Sequence, residues 1–99
     1  MQKGGSVYII TNRRRTTLYV GVTSNLPRRI WQHKTKFYPK SFTARYNCDR
    51  LVYHEAHPTI VEAIAREKQL KAGSRKKKLA LIQRLNPEWR DLYEDIKNG

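Results

Sequence analysis

Five side chains in this sequence have the right types and spacing for chemistry on a phosphate ester: Tyr8, Tyr19, Arg29, His33 and Glu67. The two phenols sit in short strand-like runs, Ser6-Val7-Tyr8 and Tyr19-Val20-Gly21, on either side of a basic loop containing Arg13, Arg14 and Arg15. If Thr11 and Thr16 close a hairpin over Asn12 to Arg15, antiparallel pairing sets Tyr8 directly opposite Tyr19. Two phenols on one sheet face, near three arginines, can hold a phosphate and a water together. That arrangement suits chemistry on a nucleic acid backbone.

Glu67 is the acidic member of the set. At about 100° per residue it falls about 20° from Ile60, between Ala63 on one side and Ile64 and Lys71 on the other. An inward carboxylate needs a cation, a hydrogen-bond donor or a proton. A plain ion pair with Lys71 one turn on meets that need, and so does a bound metal ion. Leu26, Ile30, His33 and Phe37 share a second stripe that Arg29 borders, with Arg29 and His33 one turn apart. Singly, such an arginine is often a snorkelling surface side chain and such a histidine a hydrogen-bonded core residue. Beside Tyr8, Tyr19 and Glu67 they read as parts of one site.

The elements that must carry these residues follow from local pattern. Residues 6 to 11 and 17 to 22 alternate in the period-two manner of half-buried strands. Thr23-Ser24-Asn25 offers N-cap oxygens and Pro27 suits a first turn, which predicts a helix from about Leu26 to Lys34. A short helix is expected near Ser41 to Tyr46, a third strand over Arg50 to Ala56, and a long helix from Ile60 to about Lys71 that ends at Gly73. Arg75 to Leu85 continues as a basic helix that Asn86-Pro87 stops, and Trp89 and Leu92 pack the last turn back onto the sheet. The expected fold class is α+β, a small three-stranded antiparallel sheet flanked by helices. One domain spans residues 1–99, with its core at about 6–93.

Composition narrows the partner. With 21 Lys plus Arg against 8 Asp plus Glu, the net charge is +13, and nucleic acid is the leading ligand because neutralised phosphates release counterions. A membrane is disfavoured: no basic helix has a cleanly divided apolar face, and no apolar run approaches a span of roughly 18 residues. The single Cys48 excludes an internal disulfide and a zinc knuckle, and the start lacks a signal peptide, so a cytoplasmic protein is expected. His54 and His57 flank Glu55-Ala56 at a spacing wrong for the helical zinc-protease motif and read as ordinary polar residues. Arg13 to Arg15, Arg28, Lys34, and Arg75, Lys76, Lys77 and Lys78 are solvated charge that doubles as candidate phosphate contacts.

The ordered set resembles the GIY-YIG nuclease superfamily, which includes the nuclease domain of the bacterial excision-repair endonuclease C subunit, and looks most like its small stand-alone bacterial members. The name-giving motifs read Ser6-Val7-Tyr8 and Tyr19-Val20-Gly21 here. The family arginine matches Arg29, with His33 four residues later where the family usually has His or Tyr. Its metal-binding glutamate matches Glu67, and its late asparagine matches Asn86, expected to brace the site from below. Ser6 replaces the usual glycine, and Val22 stands where some members have a lysine that could lower a tyrosine pKa.

The resemblance implies a metal-dependent endonuclease acting on DNA or RNA, with DNA favoured, using one Mg²⁺ or Mn²⁺ held by Glu67, phosphate oxygens and waters. Arg29 would neutralise charge at phosphorus, Tyr8 assisted by His33 would take the proton from water, and Tyr19 would position the phosphate. Family nucleases commonly carry a separate recognition domain, for which this chain leaves no room. Weak or structure-based selection, a homodimer or a partner protein is therefore expected. The competing expectation is a non-catalytic binder, in which Phe37, Tyr38, Phe42 and Tyr46, interleaved with Lys36, Lys40 and Arg45, stack on bases.

Overall fold

A computed structural model describes residues 4–98 of the chain. Three strands form one antiparallel sheet in the order β2-β1-β3: β1 (Gly5–Thr11), β2 (Leu18–Thr23) and β3 (Arg50–His57). Helices α1 (Leu26–Lys34) and α2 (Phe42–Arg45) lie between β2 and β3, and α3 (Ile60–Ala72), α4 (Arg75–Leu85) and α5 (Tyr93–Ile96) follow. The α+β architecture expected from the sequence is thus the observed one. Met1 to Lys3 and Gly99, the ends of the single domain expected over 1–99, lie outside the described residues. Among the described residues no helix is long and apolar enough to cross a membrane.

The central strand is buried on both faces, which is why Val7 to Thr11 reads as a near-continuous apolar run. On one face Val7, Ile9 and Val20 pack with Ala63 and Leu70 of α3 and Ile82 of α4. On the other, Tyr8 and Ile10 pack with Leu26 and Ile30 of α1 and with Cys48, Leu51 and Leu92. Both tryptophan and leucine of the C-terminal turn pack back as expected, Trp89 against the first cluster and Leu92 within the second. Side-chain caps fix the starts of α1, α3 and α4. Asn25 accepts from the Arg28 N–H at 3.2 Å, Thr59 from Glu62 at 3.1 Å and Ser74 from Lys77 at 3.2 Å.

Two expectations need correction. Tyr8 pairs with Gly21, and Tyr19 with Ile10, so the hairpin register lies two residues from the expected one. The cause is Asn12, whose Oδ1 accepts the N–H groups of Thr16 at 2.9 Å and Thr17 at 3.1 Å, while Thr11 Oγ1 donates to Thr17 O at 2.8 Å. These bonds widen the loop to residues 12–17. An even shift leaves each side chain on its original face, so both phenols still share one side. Secondly, Phe37 leaves the α1 stripe: Lys36 adopts a left-handed φ of 52°, Phe37 N–H returns to Gln32 O at 2.9 Å, and the ring ends 53% exposed. The long helix α3 ends at Gly73 as expected, with extended backbone at φ −76°.

Candidate active site

Tyr8 is 1% exposed, and its hydroxyl lies 2.8 Å from His33 Nε2. Gly21, directly across the strand pair, makes room for it, because a β-carbon at Gly21 would overlap the Tyr8 Cζ and Oη atoms. His33 is itself buried on α1, and its Nδ1 lies 3.0 Å from the hydroxyl of Thr43 in α2. Both ring nitrogens therefore have partners, and two tautomers satisfy the chain equally: either nitrogen can carry the proton. Burial, aided by the Arg29 charge, lowers His33 to about 4 and keeps the imidazole neutral at pH 7.

Arg29 lies one turn earlier, its guanidinium beside the Tyr8 hydroxyl, over the Tyr38 ring at 5.7 Å and donating to Gln32 Oε1 at 3.0 Å. Burial pushes Tyr8 up to about 12 despite that cation, with the charges of Tyr19 and Glu67 acting in the same direction as burial. Tyr8 is therefore a neutral hydroxyl at any ordinary pH. Tyr19, half-buried, lies edge-on to His33 at 6.0 Å and lines an open cavity of about 290 Å³ with Phe42, Lys71 and Lys78.

Glu67 reaches this cluster from α3. Its side chain is 13% exposed, and Oε2 takes an ion pair from Lys71 Nζ at 2.9 Å. The same ammonium sits 5.6 Å from the centre of the Tyr19 ring. The ion pair with Lys71 is thus made, but inside the cluster and not in open solvent. The structure brings Tyr8, Tyr19, Arg29, His33 and Glu67 into one neighbourhood, with Lys71 as an additional member.

Single chemistry-bearing positions elsewhere are disposed differently. Asn86 is buried and ties the chain reversal after α4 to β3: Nδ2 donates to Val52 O at 3.2 Å and Arg90 O at 2.8 Å, and Oδ1 accepts from Arg90 N–H at 3.0 Å. None of these bonds reaches the five clustered residues. Lys34 pairs with Asp91 and donates to Asp49 O at 2.9 Å, so its charge serves the link between α1 and the C-terminal turn. Arg75 donates to Arg15 O at 2.9 Å, and Arg15 stacks over Trp89 at 5.1 Å, while Lys78 donates to Gly73 O at 3.1 Å. Arg13, Arg14, Arg28, Lys76 and Lys77 stand exposed. His57 joins Glu55, Arg66 and Tyr53 in a satisfied surface network, with Arg66 Nε at 2.7 Å from Glu55 Oε1. Sequence reasoning did not find Thr43, whose only signal is its place two residues after the capping Ser41.

The model of the GIY-YIG catalytic domain matches residues 4–80, which contain the entire cluster. The chain belongs to the GIY-YIG family. It is 36% identical over 72 residues to a UPF0213 protein of Syntrophus aciditrophicus (strain SB), covering 73% of this chain and 82% of that one. A UPF0213 protein of Bacillus pumilus (strain SAFR-032) is 30% identical over 97 residues, covering 98% of both. The solution NMR structure of a UPF0213 protein from Bacillus halodurans aligns with a TM-score of 0.56 and 28% identity over 89% of this chain and 92% of that one. This is consistent with a stand-alone GIY-YIG member, and membership of a nuclease family follows from the matched domain.

The donor set fits a hard divalent cation. Glu67 is the one carboxylate in the cluster, and among the described residues no three His, Cys, Asp or Glu side chains come together. A single shielded carboxylate suits a hard divalent cation that retains waters and accepts phosphate oxygens as further ligands.

Proposed function

We propose that the protein is a metal-dependent endonuclease that hydrolyses phosphodiester bonds in nucleic acid, with DNA as the favoured substrate. The observation that carries this reading is the convergence of two phenols, a guanidinium, a neutral imidazole and a shielded carboxylate in a GIY-YIG chain. Simple binding of nucleic acid gains nothing from a carboxylate held at 13% exposure among cationic and phenolic groups.

Glu67 would hold one Mg²⁺ or Mn²⁺, which when bound supplies Lewis-acid stabilisation of the leaving oxygen. Arg29 is placed to neutralise charge that develops on the phosphoryl oxygens. The difference in exposure between the two tyrosines supports a division of labour other than the one expected from sequence. Tyr8 is sealed behind the sheet face and stays protonated, so it serves as an oriented hydroxyl whose geometry His33 and Thr43 fix. Tyr19 faces the open cavity and meets the attacking water and the phosphate. Lys71 places beside the Tyr19 ring a positive charge that Val22 does not supply, available to a phosphate in the same cavity. A reducing, cytoplasmic setting agrees with the lone buried Cys48, and a second copy or a partner protein would add recognition. A part in DNA repair rests on the resemblance to the excision-repair subunit.

The test incubates purified protein with plasmid and Mg²⁺ or Mn²⁺, beside Glu67→Ala and Arg29→Ala. Nicking or linearisation by the parent protein alone is expected. Equal cleavage by all three would trace the activity to a contaminant and remove the proposal. Under the competing reading, a non-catalytic binder, affinity would be salt-dependent, indifferent to Glu67→Ala and accompanied by no turnover with any metal.

A further inference from the structure

All five strongly exposed aromatic side chains among the described residues fall between positions 31 and 46: Trp31, Phe37, Tyr38, Phe42 and Tyr46, each 44% to 53% exposed. Leaving so much ring surface in water opposes the hydrophobic effect, and such a concentration marks a binding surface. The rings form two groups that each run into the candidate active site. In one, Trp31 contacts Phe37 at 6.0 Å, Phe37 contacts Tyr38 at 5.0 Å, and Tyr38 carries the Arg29 guanidinium at 5.7 Å. In the other, Tyr46 contacts Phe42 at 4.6 Å, and Phe42 stacks on Tyr19 at 6.2 Å with an interplanar angle of 30°.

From this placement we infer that the 31–46 segment is a stacking platform for unpaired bases on both sides of the scissile phosphate, making single-stranded nucleic acid the preferred substrate class. The inference rests on the nuclease reading for the position of the scissile bond. Bases within a duplex already stack on one another and present only their edges, so protruding flat rings find partners only where bases are unpaired. Exposed Lys36, Lys40 and Arg45 alternate with the rings along the chain and match the phosphate charge that accompanies each base. An apolar protein partner would be served by the rings but not by this interleaved positive charge.

The test uses the full chain carrying Glu67→Ala, so that binding is read without cleavage. Fluorescence anisotropy with a labelled single-stranded oligonucleotide, and with its duplex, gives both affinities at one salt concentration. The single strand is expected to bind about tenfold tighter, and Phe37→Ala or Phe42→Ala to weaken it about fivefold or more while altering duplex affinity less than about twofold. Thermal melting accompanies each variant, and Phe42→Leu, which keeps apolar packing but removes the flat ring, replaces Phe42→Ala if that chain does not fold. Equal affinity for strand and duplex, or unchanged single-strand binding by folded ring variants, would overturn the inference. Because the readout is binding, it is independent of the plasmid assay. Metal-dependent cleavage with unaffected ring variants leaves the nuclease reading intact and discards this one, whereas ring-dependent strand binding without any cleavage removes the nuclease reading and, with it, the scissile bond on which the substrate assignment rests.

Discussion

Lys71 Nζ lies 2.9 Å from Glu67 Oε2 and 5.6 Å from the centre of the Tyr19 ring, so one ammonium bridges the carboxylate expected to hold a cation and the phenol that faces the cavity. Lysine and a divalent cation compete for the same oxygen.

Lys71→Met is therefore expected to tighten Mn²⁺ binding and slow cleavage together. An ion pair as exposed as this one, with the lysine side chain 48% accessible, is worth up to about 1 kcal/mol, equivalent to roughly a fivefold gain in metal affinity. Titration of Mn²⁺ followed by its electron paramagnetic resonance signal measures the first effect without reference to activity. Unaltered metal affinity would mean that the ammonium does not occupy the cation's place.

Gly21 is expected to tolerate no side chain. Alanine there would drive its methyl group into the Tyr8 ring and hydroxyl, which the surrounding core holds in place. Overpacking of this kind costs about 1 to 3 kcal/mol. Urea unfolding of Gly21→Ala should show that loss, and plasmid nicking should fall further than the folded fraction does, because the displaced phenol also disturbs His33. A variant of parental stability would place the Tyr8 ring elsewhere.

The depression of His33 has a signed consequence for stability. Its folded pKa of about 4 lies below the ordinary 6.5, so as pH falls through that interval the unfolded chain binds a proton that the folded chain refuses. Stability should be complete above about pH 6.5 and should decline towards pH 4 by on the order of 3 kcal/mol. Urea midpoints measured across this range should give a steeper decline in the parent than in His33→Gln, which cannot titrate. His54 is shifted in the same direction by its own burial and leaves part of the slope in the variant. Parallel slopes in the two proteins would show that His33 is solvated.

The sequence made the helix starts legible because their determinants are local: Asn25, Thr59 and Ser74 cap the helices they precede, and α1 and α4 have the expected limits. The stripe that turns Glu67 inward was legible for the same reason, since helical geometry needs only spacing. Less local features were not. The hairpin register depends on Asn12 satisfying two backbone donors across the loop, a choice that a strand pattern does not encode. Phe37 fits the apolar spacing of α1, and only the left-handed turn at Lys36 removes it from the core. The short α5 at Tyr93–Ile96 has no side-chain cap to announce it. That Tyr8 is sealed while Tyr19 is open follows from packing by α1 and by residues distant in sequence, Cys48, Leu51 and Leu92, which no motif contains.

Asn86 distinguishes a structural role from a role in the site. Its amide makes three hydrogen bonds, to Val52 on β3 and to both backbone groups of Arg90, at 4% exposure. Asn86→Ala would leave those groups without partners, each at a cost of about 1 kcal/mol or more, for a total of about 2 to 4 kcal/mol. Urea unfolding should register that loss, and loosening the turn should also free Trp89, which packs against the core beside it. Cleavage per folded molecule, measured below the unfolding transition, is expected to stay near the parental value because the amide touches none of Tyr8, Tyr19, Arg29, His33 and Glu67. A large fall in turnover by a variant that remains fully folded would instead give Asn86 the bracing role suggested by the family motif, acting through the β3 backbone on the Tyr8 side of the sheet.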